Sequence, residues 1–304
     1  MQIEALPVAP SVLGESPTWW PEQGALYWSD IPGMKLHRWL PASAQHDEWA
    51  FETEVGSFAP LANGKLLLAL RSGIVRFDPA SGRREPLAEA PYDTVSERFN
   101  DGKADPQGRF WVGTICTPRE PAIAALYRWA GGSLERMVGA ISVSNGLAWS
   151  PDGRTMYWSD THSHCIFAFD FDPAAGSLSR QRVFARFPGK VADKIAGQDL
   201  AGYGGRPDGA AVDAEGCYWV AMFEGQRVLR FAPDGSLLRE IPLPTRCPTM
   251  PCFGGADLRT LFITTAREGR PEAELAAQPL AGCVLTMRVD VPGLPVNFAA
   301  GDAP

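Results

Sequence analysis

The chain has 304 residues, 45% of them hydrophobic and 21% charged, and a formal net charge of −7. That composition excludes a charge-rich disordered chain and is long enough to bury a large core. No run of roughly 18 apolar residues and no basic cluster occurs, which argues against a membrane span and against a nucleic-acid partner.

Thirty-one Gly and 27 Pro are scattered along the chain, so they punctuate many short elements, as an all-β protein requires. The first residues lack the charged and apolar regions of an export signal, and a cytoplasmic protein is expected. Residues 3–8 are a candidate strand for closing a ring of sheets. From there a module recurs. The first copy runs from Glu15-Ser16-Pro17 to Leu26-Tyr27-Trp28-Ser29-Asp30, and a weaker second begins at Ser57, with Asn63-Gly64 and Leu66-Leu67-Leu68. A third goes from Asn100-Asp101-Gly102 to Phe110-Trp111-Val112-Gly113. The fourth, from Asn145-Gly146-Leu147 through Pro151-Asp152-Gly153 to Met156-Tyr157-Trp158-Ser159-Asp160, is close to the first. The fifth runs from Asp208-Gly209 to Tyr218-Trp219-Val220, and a weak sixth begins at Cys252.

Two strands and a tight turn fit the spacing inside each copy, and further β-rich runs such as Arg227-Val228-Leu229-Arg230-Phe231 follow. Six modules of four strands each predict an all-β, six-bladed β-propeller with four-stranded antiparallel blades around a central channel, one domain over residues 1–304. Only 271–278 reads as a short helix. The outer strands of the last blade fall around 283–289, where residues 3–8 would join them.

In such a ring the same repeat position recurs around one mouth of the channel, which here collects Glu15, Ser57, Asn100, Asn145, Asp208 and Cys252. Any single Asn-Gly or Asp-Gly could be only a turn. Two carboxylates and one amide carbonyl (Glu15, Asp208 and Asn145) converging on one axis suit a divalent cation such as Ca²⁺, Mg²⁺, Mn²⁺ or Fe²⁺. The six Cys form no CxxC pair and read as buried thiols. His162 and His164 follow the aromatic pair and read as surface residues away from the ring. No G-x-S-x-G is present and none of the four His falls in the ring, so a Ser/His/Asp hydrolase lacks support. The long segment 189–206, directly before Asp208, is either a lid over the mouth or a solvated insertion.

Leu13-Gly14-Glu15-Ser16-Pro17, Arg98-Phe99-Asn100-Asp101-Gly102-Lys103, Ser144-Asn145-Gly146-Leu147-Ala148-Trp149 and Pro207-Asp208-Gly209 together resemble the gluconolactonase/regucalcin (senescence marker protein) family, with a pattern nearer its bacterial sugar lactonases. The resemblance covers nearly the whole chain. It implies a six-bladed propeller with one divalent metal ion (Ca, Mg, Mn, Zn or Fe) held by Glu15, Asn145 and Asp208, and substrate contacts from Arg98 and Asn100. The family's sugar-contacting Glu is matched to Glu120, in a segment (115–121) that departs from the animal members. The expected activity is metal-dependent hydrolysis of an aldonolactone, with Asp208 also taking the proton of the attacking water and Asp101 behind the ring. A small sugar lactone is the expected partner, and the chain a monomer or weak homo-oligomer. Two other readings stay open: a metal-dependent hydrolase of other esters, lactones or phosphotriesters, and a non-catalytic Ca²⁺-binding or interaction propeller.

Overall fold

The computed structural model describes residues 2–190 and 202–300, so most of the 189–206 segment lies outside the described residues. Those residues form six four-stranded antiparallel sheets arranged as the blades of a propeller. Blades 1 to 5 are continuous in sequence (14–50, 55–89, 97–141, 144–186 and 206–242), each strand pairing with the next. Blade 6 is composite: Pro248–Gly254, Thr260–Thr265 and Leu285–Arg288 are joined at the outer edge by Glu4–Ala5. The expected closure is present, though only two residues of 3–8 pair, Glu4 with Thr286 and Ala5 with Leu285. The helix is Glu272–Ala277. It is far too short to cross a membrane, and no other described helix is long and apolar enough.

Alternation along the strands sends apolar side chains to both faces of every blade, because each sheet is covered on both sides by its neighbours. The core is therefore a set of interfaces. Trp20 and Tyr27 of blade 1 pack with Phe58 and Leu66 of blade 2, and Trp111 of blade 3 packs with Trp149 and Trp158 of blade 4. The ring closes through Trp19, whose indole stacks on Phe262 of blade 6 at 5.7 Å between centroids.

The turn residues of the repeat act by hydrogen bonding. In blade 3, Asp105 Oδ1 accepts from the backbone N–H groups of Gln107 and Arg109, and Oδ2 from Trp111 Nε1 and Arg109 Nε. Blade 5 repeats this with Asp213, which takes Glu215 N, Cys217 N, Trp219 Nε1 and Arg230 Nε. Both carboxylates are fully buried. At the other end, Asp30 accepts from Val12 N and Leu13 N and Asp160 from Val143 N, fastening the chain that enters each inner strand. After blade 6 the C-terminal tail crosses the far side of the ring, where Asn297 Nδ2 donates to Ala104 O and Ala299 N to Pro60 O.

Removing one member of a buried charge pair leaves the other uncompensated, typically costing about 3–5 kcal/mol. Asp105→Ala is expected to lose stability in that range in urea unfolding. A loss below about 0.5 kcal/mol, the size of an ordinary surface substitution, would contradict the role given to this carboxylate.

Candidate metal centre

Each inner strand starts at one mouth of the channel and breaks register soon afterwards. The shifts fall between Glu15 and Thr18, Phe99 and Gly102, Asn145 and Ala148, and Pro207 and Ala210. Glu15 and Asn145 are the last paired residues before their bulges, whereas Asn100 and Asp208 are the first residues inside theirs. A bulge unpairs the backbone and re-aims a side chain, here at the edge of a ring of strands. Ser16 (φ 51°) and Gly146 (φ 67°) follow directly, both left-handed. A Cβ on Gly146 would lie 2.3 Å from Ser159 Oγ and 2.4 Å from the Tyr218 hydroxyl. The Asn-Gly pair is thus a close-packing requirement of the strand and not a hairpin turn.

Blades 2 and 6 differ. Their shifts fall between Val55 and Ser57 and between Pro248 and Met250, so Ser57 and Cys252 stand past the bulge and outside the ring position expected of them. Cys252 instead lines a cavity of about 300 Å³ reached from the far side of the ring, with Lys103 and Trp149.

The side chains at the mouth are joined by one hydrogen-bond chain across three blades. Arg98 Nη1 donates to Asn100 Oδ1 (2.8 Å), Asn100 Nδ2 to Asn145 Oδ1 (2.9 Å), Asn145 Nδ2 to Thr161 Oγ1 (2.8 Å), and Thr161 Oγ1 to Pro207 O (2.7 Å). Asn100 Nδ2 also donates to Ser144 O at 2.9 Å. With its amide donating to two acceptors and its carbonyl accepting from Arg98, Asn100 orients Asn145 more than it reaches outward. The chain turns the Asn145 carbonyl into the mouth with one lone pair to spare. Thr161 escaped the sequence reading because its role depends on a neighbouring blade.

Glu15 and Asp208 are buried, and neither makes an ion pair among the described residues. Burial pushes both carboxyls well above their ordinary range. Asp208 and then Asp101 raise Glu15 further, while Asp101 adds to the rise of Asp208 against the opposing charge of Arg206. Asp101 is buried too: its Oδ2 accepts from Leu147 N, and its Oδ1 has no hydrogen-bond partner. Burial likewise pulls the Arg98 guanidinium down to about 10. Buried carboxylates without an ion-pair partner are costly. An oxygen-ligated divalent cation is the charge that this donor set fits.

The rim is built by the turns between second and third strands, which return to the same mouth. Glu120 sits there, exposed, on the loop after the second strand of blade 3, with its Oε1 3.7 Å from His162 Nε2. His164 Nε2 meets the Tyr203 hydroxyl at 2.7 Å. The two histidines are therefore outside the ring, as expected, yet on the rim of this mouth and not away from it. A different group, Asp213, Glu215 and Cys217, has two carboxylate oxygens and a thiol sulfur close together, but Arg230 and Trp219 already occupy the Asp213 and Glu215 oxygens.

Residues 13–267 match the family model described as "SMP-30/Gluconolactonase/LRE-like region". The chain belongs to the SMP-30/gluconolactonase/LRE-like family. It is 46% identical to a 6-deoxy-6-sulfogluconolactonase from Pseudomonas putida over 96% of each chain, and 35% identical to regucalcin from Danio rerio over 97% of each. Among solved structures, a calcium-binding regucalcin from Agrobacterium tumefaciens superposes with a TM-score of 0.88 at 29% identity, covering 97% of this chain and 96% of that one.

The raised carboxyls give a stability effect of definite sign. Without a cation, the folded protein keeps protons that the unfolded chain releases above about pH 4, so these groups destabilise the fold as pH rises through that window. Asp208→Asn, which removes the charge, is expected to be more stable than the parent in chelator at pH 7.5 by about 1–3 kcal/mol. The gap should narrow near pH 4.5, and thermal stabilisation by added Ca²⁺ should disappear. Melting curves at the two pH values test both statements; a variant less stable at pH 7.5 would contradict them.

Proposed function

We propose that this protein hydrolyses a sugar lactone to the aldonic acid, with a divalent cation held by Glu15, Asn145 and Asp208. The observation that carries this reading is the convergence of two buried, unpaired carboxylates and one oriented amide carbonyl at a channel mouth, in a chain of the SMP-30/gluconolactonase/LRE-like family. The 46% identical relative is named for the lactone of a sulfonated gluconic acid. A cation at this position would polarise the lactone carbonyl and acidify a bound water.

The chain's own residues supply the remainder. Asp208 takes a proton from the attacking water as oxygen adds to the carbonyl carbon, and returns it to the ring oxygen as the C–O bond breaks. The acid product ionises at neutral pH and releases one proton. A carboxyl raised by burial is a poor base at pH 7 until a neighbouring positive charge brings its pKa down again, which couples the base to the cation. Arg98 faces the mouth beside Asn100 and presents its remaining N–H groups to sugar hydroxyls, a task suited to its fixed fork of donors. Asn100 and Thr161 hold Asn145 in register. Glu120, from the rim, contacts the far end of the sugar in this reading.

Proton release from a panel of aldonolactones (glucono, galactono, xylono and arabinono) by chelator-treated protein, with Ca²⁺, Mg²⁺, Mn²⁺, Zn²⁺ and Fe²⁺ restored separately, tests the proposal. Saturable hydrolysis recovered by at least one ion is expected, and Asp208→Ala should lower it by 10²-fold or more, the scale of a lost acid–base group. Rates that never exceed spontaneous hydrolysis, with an ion demonstrably bound, would overturn it in favour of a binding propeller.

A further inference from the structure

The rim beside Asp208 gathers more positive charge than its own carboxylates use. Arg206 stands two residues before Asp208 just as Arg98 stands two before Asn100, and both pair at the start of an inner strand, Arg206 with Phe223 and Arg98 with Ile115. Arg206 thus lies on the last paired stretch of the strand before the bulge that carries Asp208. Arg98 closes onto Asn100, but Arg206 finds no such partner. Its Nε is buried without a hydrogen-bond acceptor, its Nη2 is 3.6 Å from Glu224 Oε2, and its guanidinium lies 5.1 Å from the centre of the Phe223 ring. Glu224 is held more closely by Lys190 (3.0 Å) and Arg270 (3.1 Å), and Arg270 also takes Glu274 at 2.6 Å. Three cations thus face two carboxylates.

Arg119, on the blade 3 rim loop, adds to this surplus. It donates to the Cys116 carbonyl and to Thr117 Oγ1 (3.1 Å), and no carboxylate pairs with it among the described residues. Arg119 and Arg206 come to the same rim on either side of the turn carrying His162 and His164: next to Arg119, Glu120 Oε1 is 3.7 Å from His162 Nε2, and three residues before Arg206 the Tyr203 hydroxyl meets His164 Nε2 at 2.7 Å. Burial, with Arg206 nearby, pulls the Arg119 pKa down. Two arginines that repel each other across a half-buried rim are relieved by an anion placed between them. In a chain of net charge −7, such a local pair would favour the approach of an anionic molecule to this side of the mouth.

We propose that Arg206 and Arg119 form a subsite for a tetrahedral oxyanion substituent, a sulfonate or a phosphate, carried by the sugar lactone away from its reacting carbonyl. Two planar forks of N–H donors match the oxygens of such a group and hold it by charge-assisted bonds. The subsite rests on the lactonase reading, and it makes the enzyme selective for charged over neutral aldonolactones.

The test compares kcat/KM for 6-deoxy-6-sulfogluconolactone, 6-phosphogluconolactone and gluconolactone in the parent, Arg206→Gln, Arg206→Lys and Arg119→Gln. The parent should prefer at least one charged lactone, with whichever is better identifying the oxyanion. Each Gln variant should reduce the ratio of charged to neutral kcat/KM by about tenfold or more, mainly through KM, as expected for a lost charge-assisted hydrogen bond. Arg206→Lys should restore part of the ratio, and added salt should erode it. A parent without preference, or variants that lower charged and neutral substrates in proportion, would overturn the subsite. If no lactone is turned over, the lactonase reading fails separately, and calorimetry with 6-deoxy-6-sulfogluconate and gluconate decides the subsite. Tighter binding of the sulfonate that Arg206→Gln abolishes would uphold it; equal binding of the two acids would refute it.

Discussion

Glu15 and Asp208 are carboxylates taken out of water with no ion pair to receive them, and much of the structure around the channel serves to keep them there. A side chain in that condition swings toward solvent unless its backbone is held. The holding comes from the inner-strand bulges, the left-handed residues at Ser16 and Gly146, and the hydrogen-bond chain from Arg98 to Pro207. The bulges are in turn fixed by blades that cannot shift, because every blade is covered on both faces and pinned by buried aspartates such as Asp105 and Asp213. Strain and desolvation are concentrated at one mouth and balanced by ordinary packing elsewhere.

Charge is layered at that mouth. The carboxylates Glu15, Asp101 and Asp208 lie inside, all raised by burial, Glu15 and Asp208 further by their acidic neighbours, while Lys103 opposes the rise at Asp101. Arg98 and Arg206 lie beside them, with Lys190 and Arg270 beyond at Glu224. A cation bound among the acids and an anionic substituent bound among the bases would each relieve a repulsion built into the fold. In the proposed reaction the same layering would separate ring opening from recognition of what the ring carries.

The repeat was legible because propeller blades must bury the same strand faces again and again. The aromatic pairs of Tyr27-Trp28, Phe110-Trp111, Tyr157-Trp158 and Tyr218-Trp219 all lie in second strands, where they pack against neighbouring blades. Ring position was less legible. Repeat spacing located the inner strands but could not foresee that the register shifts of blades 2 and 6 leave Ser57 and Cys252 past the bulge. Nor could it see that Asn100 is committed to Ser144 and Asn145, or that the turn carrying His162 and His164 comes back to the mouth that carries Glu15 and Asp208. One signal was available: Arg206 stands before Asp208 as Arg98 stands before Asn100.

By itself the sequence determined the six-fold repeat, the four-stranded blade, closure by the N-terminal segment and the common repeat position of Glu15, Asn145 and Asp208. These follow from the period of apolar burial and from which residue types recur at one phase of it, both of which are properties of a single strand and its turn. Only the tertiary structure decided which donors are already spent, which carboxylates lack an ion-pair partner, and which arginines from different blades come to the same rim. Those are relations between blades. They depend on a bulge of one or two residues and on side-chain directions about the ring, and a one-dimensional pattern contains neither.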